Sequence, residues 1–228
     1  MKSLIAALFL SQVAMASPEI VLSPVDHLYV PKGFDSNDSV EVIVTGMFPN
    51  ACFSRNDVQV SVNDDLIDIT ITAFEAQKAK CIQMKVPFKE VVTIGNLQGG
   101  EYKVRVNDKS RFELKEDLSI EEASSSAVDN HTYAAIDWVE QKSQNEFVLH
   151  GWKYSNCVEL KKIEVISNDK DTLSILPEMK QTSEVCPMKG MPVSYPVKVD
   201  FSSLKMKRPL LHVRTMDGKS VNAIVNQE

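Results

Sequence analysis

Apolar and polar residues alternate with a period of two through most of this chain, the pattern of strands with one buried face. Val40, Val42 and Val44 lead into Gly46, and Phe147 and Leu149 lead into Gly151 in the same register. Beyond each glycine a second alternating run follows, Val58-Gln-Val60-Ser-Val62 in one case and Ile163-Glu-Val165-Ile-Ser167 in the other. Both runs end in an Asn/Asp cluster, Asn63-Asp-Asp65 and Asn168-Asp-Lys-Asp171, whose side chains bond their own backbone in turns. Leu66–Ile71 and Leu173–Leu176 then complete two predicted hairpins. Ile20–Leu22 and Leu28–Val30, broken by Pro24 and Pro31, are predicted as short edge strands, because proline has no N–H for a central ladder. Ala73–Lys80 is rich in helix formers and is predicted as a turn or short helix at a sheet end.

The two series are one pattern written twice. Gly46-Met-Phe-Pro-Asn-Ala-Cys52 followed by Cys81 matches Gly151-Trp-Lys-Tyr-Ser-Asn-Cys157 followed by Cys186, at a single offset of 105 residues. Val86-Pro87-Phe88 and Met191-Pro192-Val193 keep that offset. Farther on the copies drift: Tyr102–Val106 is matched to Leu211–Thr215, and each run turns, at Asn107-Asp108 and Asp217-Gly218, into a closing strand. Between the copies Glu116–Asn130 is acidic, serine-rich and without alternation, as a linker is. The expected organisation is a leader over 1–16, a first domain over 17–116, a linker over 117–131 and a second domain over 132–228. About seven short strands per unit, with turns between and no βα rhythm, predict an all-β fold of two tandem immunoglobulin-like β-sandwich domains related by internal duplication. A small barrel is the competing shape for each unit.

The first sixteen residues have the form of a secretory signal peptide: Lys2, an apolar stretch from Leu4 to Leu10, then Ala14-Met-Ala16 for cleavage before Ser17. The apolar stretch is short of the roughly 20 residues a spanning helix needs, so no integral membrane segment is expected in the mature chain. Export to the periplasm or cell surface follows from the leader. A net charge of −6 argues against nucleic acid as a partner.

Four cysteines at duplicated spacing in an exported chain imply structural disulfides. Three connectivities exist, and the repeat favours Cys52 to Cys81 and Cys157 to Cys186. No ligand spacing suggests a metal; Met188 and Met191, with Met84 in the first copy, could offer soft thioethers but are read as packing. The histidines are scattered, and His150 and His212 are expected to face solvent. No nucleophile elbow or triad is announced, so no catalytic residue, metal or cofactor is assigned and no enzymatic activity is expected. Lys78, Lys80, Lys85 and Lys89, and Lys205, Lys207 and Arg208, are read as solvated faces. Trp152 and Tyr154, expected in the loop before Cys157, form the candidate partner contact. Asn37-Asp-Ser39 and Asn130-His-Thr132 match the glycosylation triplet, with no glycan expected from a bacterial-looking leader.

In strand pattern the duplicated units resemble tandem immunoglobulin-like modules of bacterial exported proteins. Pilus chaperones share that two-domain length and work by lending a strand, but their basic anchor has no counterpart here, since no Arg lies in Ile20–Val30. The duplication, the paired cysteines and the lack of a catalytic motif lead to the expectation of a non-enzymatic envelope protein, an interaction or spacer module with a protein partner in a larger assembly. A secreted inhibitor of proteases or other hydrolases, and a periplasmic chaperone or carrier, are the alternatives.

Overall fold

The alternating runs become fifteen strands in the computed structural model, which describes residues 17–77, 80–123 and 132–225. The leader, Lys78, most of the expected linker, Asn130 and His131 of the second triplet, and residues 226–228 lie outside the described residues. The first unit comprises β1 (Glu19–Leu22), β2 (Val25–Tyr29), β3 (Val40–Phe48), β4 (Phe53–Asn63), β5 (Leu66–Glu75), β6 (Val86–Gly95), β7 (Gly100–Val106) and β8 (Leu114–Ile120). The second comprises β9 (Ala135–Gln141), β10 (Glu146–Ser155), β11 (Val158–Ser167), β12 (Thr172–Gln181), β13 (Met188–Lys198), β14 (Leu210–Thr215) and β15 (Lys219–Ile224).

Each unit is a sandwich of two sheets, and the two sandwiches have the same strand order. The smaller sheets run β2-β3-β6 and β9-β10-β13; the larger run β4-β5-β7-β8 and β11-β12-β14-β15, with β1 added beside β5 in the first. In both, one pair is parallel, β5 with β7 and β12 with β14. The parallel register aligns Val104 and Val106 with Leu211 and Val213, two residues away from the match drawn on sequence. A slip of two keeps every side chain on its face, so alternation alone could not detect it. Val42 and Val44 from the small sheet meet Ile67, Ile69 and Val104 from the large one in the first core. Phe147 and Leu149 meet Leu173, Ile175, Leu211 and Val213 in the second.

Two expectations are corrected. Ala73–Glu75 continue β5, where Ala73 is fully buried and pairs with both Val21 and Arg55, so burial overrides helix propensity. Asp117–Ile120, placed in the linker, belong to β8, which buries Leu118 and Ile120 against β7 and the core. The exposed residues Asp117 and Ser119 gave that strand its acidic, serine-rich look.

The repeated glycine has a steric origin. Gly46 and Gly151 each sit at a bulge where the neighbouring edge strand shifts register, between Val25 and His27 in one sheet and between His150 and Gly151 in the other. A Cβ on Gly151 would overlap the Ala135 carbonyl, and one on Gly46 would overlap the Phe88 ring and the Pro24 carbonyl oxygen. Six residues later each cysteine stands just beyond the end of the same strand. Cys52 bonds Cys81 and Cys157 bonds Cys186, with Cα separations of 5.4 and 5.7 Å. Each bridge ties the β3–β4 or β10–β11 turn to the loop after β5 or β12.

Candidate functional site: an exposed aromatic face

Strand β10 points Phe147 and Leu149 into the core, so by its period His150 and Trp152 stand on the outer face of the small sheet. The register sets Trp138 of β9 and Ser194 of β13 on either side of His150, and exposed Pro192 beside Trp152. The His150 ring is held at both nitrogens: Nε2 lies 3.0 Å from Glu140 Oε2 and Nδ1 lies 2.9 Å from Ser194 Oγ. Trp138 stacks flat on this fixed ring, with centroids 3.9 Å apart and planes 12° from parallel. Hydrogen bonds from Lys142 and His150 hold the Glu140 carboxylate below its ordinary pKa. Trp138, Trp152 and Tyr154 remain 50%, 49% and 42% exposed. Half-exposed indoles on a rigid backing are suited to contact, because ordering them loses little further entropy.

Trp152 and Tyr154 lie on β10 itself, not in a loop, which corrects the sequence expectation. The strand runs almost to Cys157 because its backbone still pairs with β13 as far as Ser155 opposite Met188. Beside them a groove of ≈ 500 Å³ is walled by Tyr133, Val158, Met179, Met188 and Met216. Met188 thus lines a groove, and Met191 is not among its walls. Among the described residues no group of three or more His, Cys, Asp or Glu side chains is placed to hold a metal ion.

The first sandwich has a groove at the cognate place. It measures ≈ 700 Å³ and is lined by Leu22, Met47, Pro49, Phe53, Glu75 and Phe112. Met47, Pro49 and Phe53 precede Trp152, Tyr154 and Val158 by 105 residues. Duplication has therefore carried a concavity along with the strands.

A second cluster joins the two sandwiches, and sequence reading missed it. The outer face of β2-β3-β6 buries Tyr29 and Ile43 against Leu210, with Met206 and Ile224 alongside. His212 is fully buried here, contrary to the expectation that it faces solvent. Its Nδ1 is 2.8 Å from Asn222 Oδ1 and 3.5 Å from Glu41 Oε1, while Nε2 has no hydrogen-bond partner among the described residues. Burial lowers the His212 pKa against the opposing pull of Glu41 and Asn222. Glu41 also accepts from Asn222 Nδ2, at 2.8 Å, and from Ser220. Arg214 pairs with buried Asp38 and donates to the Gly33 carbonyl at 2.5 Å. Burial pulls its guanidinium down to about 10, with Asp35 opposing. His27 Nε2 meets Asp171 Oδ2 at 2.9 Å, and Lys89 Nζ donates to the Asn222 carbonyl at 2.7 Å. Burial works to raise the Asp171 pKa, yet bonds from His27, Asn168 and Thr172 outweigh it and hold the carboxylate below its usual value. The available signal was Leu210-Leu211, adjacent apolar residues that mark a strand buried on both faces.

Among the described residues no helix is long and apolar enough to cross a membrane. Residues 42–114 match the family model of the ORF11 beta-sandwich domain. The "uncharacterized 10.2 kDa protein in HgiCIIM 5'region" of Herpetosiphon aurantiacus is 33% identical over 70 residues, which span 30% of this chain and 74% of that protein. No solved structure matches the chain. With close to three quarters of the relative covered at this identity, the chain belongs to the same family as the Herpetosiphon aurantiacus protein.

Proposed function

We propose that this protein is a non-enzymatic, exported interaction module of the cell envelope, a tandem of immunoglobulin-like sandwiches whose contact surface is the outer face of β9-β10-β13. The observation that carries this reading is the row of half-exposed aromatics, Trp138, Trp152 and Tyr154, beside a histidine fixed at both ring nitrogens. Trp and Tyr supply large contact area at small entropic cost and dominate protein interfaces. The two disulfides fit an oxidising compartment, as does the leader-like first segment. In-cell crosslinking followed by purification from gently solubilised envelopes tests it. The expected result is a stable set of crosslinked species, lost when Trp152 is replaced by Ala. The protein recovered free of any crosslink from the soluble fraction would overturn it.

A carrier of apolar segments is the second reading. It is favoured by the pair of cognate grooves, each lined by adaptable methionine or aromatic side chains. Titration with a labelled uncharged Leu/Phe-rich peptide should then find two binding sites per chain, and saturation at one or none would remove this reading.

A further inference from the structure

We infer that the outer face of β9-β10-β13 receives a second copy of this chain, in a closed two-fold dimer. The inference rests on that face being the contact surface, and it names the partner. Its first support is a precedent inside the molecule. The cognate sheet, β2-β3-β6, does not leave its outer face to water: Tyr29, Ile43 and Glu41 lie beneath β14 and β15 of the other sandwich. The fold already uses this face once as a seat for another sandwich.

Head-to-tail repetition of that contact is blocked by charge. In such an array the next molecule would present β7 and β8, the cognates of β14 and β15. Where Leu210, His212 and Ile224 dock, β7 and β8 instead carry outward Lys103, Lys115 and Asp117, with Arg105 already bound to Asp68 and Asp108. Desolvating those charges against indole rings is unfavourable, so the array stops after two units.

A self-docking face must meet a different condition. Near a two-fold axis each residue approaches its own copy, so an unpaired charge there would repel itself. The middle of this face holds Val148, Trp138, Trp152 and Ser194, and Glu140 and Glu146 are paired within the chain, to Lys142 and Lys198, which leaves exposed Asp137 at the β9 bulge toward one end. Pro192 and Pro196 on edge strand β13 disfavour edge-to-edge strand addition, leaving face-to-face contact. Strands of seven, ten and eleven residues give a footprint of at most roughly 14 by 33 Å, below the range of stable dimers and within that of weak, transient ones, so a weak, micromolar Kd is expected.

Sedimentation equilibrium of the full chain from about 1 to about 500 µM tests this, a range spanning the expected Kd. A monomer–dimer equilibrium is expected; Trp138→Glu should raise Kd by roughly 30-fold or more, and Lys103→Glu on the β7–β8 face should leave it unchanged. Pro196→Lys, at an exposed proline near the middle, gives the same reading should Trp138→Glu fail to fold. A chain monomeric throughout, or a dimer indifferent to both face variants, overturns the inference. A monomeric chain that still crosslinks to other envelope proteins through Trp152 would overturn the dimer alone and leave the interaction-module reading intact. A dimer with no other crosslinked species would uphold it.

Discussion

On the first small sheet Tyr29 and Ile43 are buried under the neighbouring sandwich, whereas at the cognate places on the second Glu140 and half-buried Val148 border water. One turn of alternation away, His27 and Thr45 are replaced by stacked Trp138 and His150. The inward residues tell the opposite story: Val42, Val44, Ile67 and Val104 correspond to Phe147, Leu149, Leu173 and Leu211, all apolar and all in a core. Inward positions are constrained by close packing, where volume changes cost several kcal/mol, while outward ones cost little to change. The duplicated fold has therefore kept its cores and reassigned its faces: one to join the sandwiches, one to remain aromatic, one to be charged.

The sharpest way to break this likeness is at the glycine both copies retain. Gly151→Ala would drive a methyl into the Ala135 backbone, which cannot step aside, and should cost about 5 kcal/mol. Gly46→Ala meets the Phe88 ring as well as the Pro24 carbonyl, and the ring can shift, so about 3 kcal/mol is expected. Both tryptophans, Trp138 and Trp152, lie in the second sandwich, so fluorescence reports its unfolding while far-UV circular dichroism reports both. Equal losses in urea melts would show that the two bulges are held in the same way.

The joining face is broken next. Arg214→Met leaves Asp38 buried without its cation and the Gly33 carbonyl without its donor, at an expected loss of about 4 kcal/mol in coupling. The fluorescence and dichroism transitions are expected to coincide in the parent and to separate in the variant; coincidence in both would refute the coupling role. The disulfides sharpen the comparison from the other side. Their sequence separations are both 29, so chain entropy assigns each the same contribution, about 3.5 kcal/mol. Replacing either cysteine pair with alanines should lower the melting temperature of its own sandwich by a like amount.

The cores, the succession of strands along each repeat and both cysteine pairings were legible because each depends on local alternation or on a spacing stated twice. Leu118 and Ile120 were missed because one strand face of Asp117 and Ser119 imitates a linker. Trp152 and Tyr154 were visible as unusual residues, but their neighbours Trp138, His150 and Ser194 come from three strands, and no local spacing brings them together. The same holds more strongly for His212, whose partner Glu41 is 171 residues away in sequence and whose strand looks half-solvated unless a second sandwich is placed on it.

His212 also allows the smallest and most selective test of the joining face. Its pKa is lowered by burial in the folded chain, so between that value and the unfolded value of about 6.5 the unfolded chain binds more protons. Stability must then be full above about pH 6.5 and fall as the solution is acidified through that window, with a slope of up to about 1.4 kcal/mol per pH unit from one proton. Asp171 acts in a separate window: its carboxylate is held below 3.8, so its contribution is lost only in stronger acid. The groups facing His212 are Glu41 on β3, Asn222 and Ser220 on β15 and Phe34 in the loop between β2 and β3. His212→Asn removes the titrating ring while leaving a polar side chain near Asn222. Urea midpoints of parent and variant, compared from pH 8 to pH 5, should converge as pH falls, since only the parent loses the His212 contribution. Parallel midpoints would mean that Glu41 compensates the buried ring fully, and that the joining face is indifferent to acid.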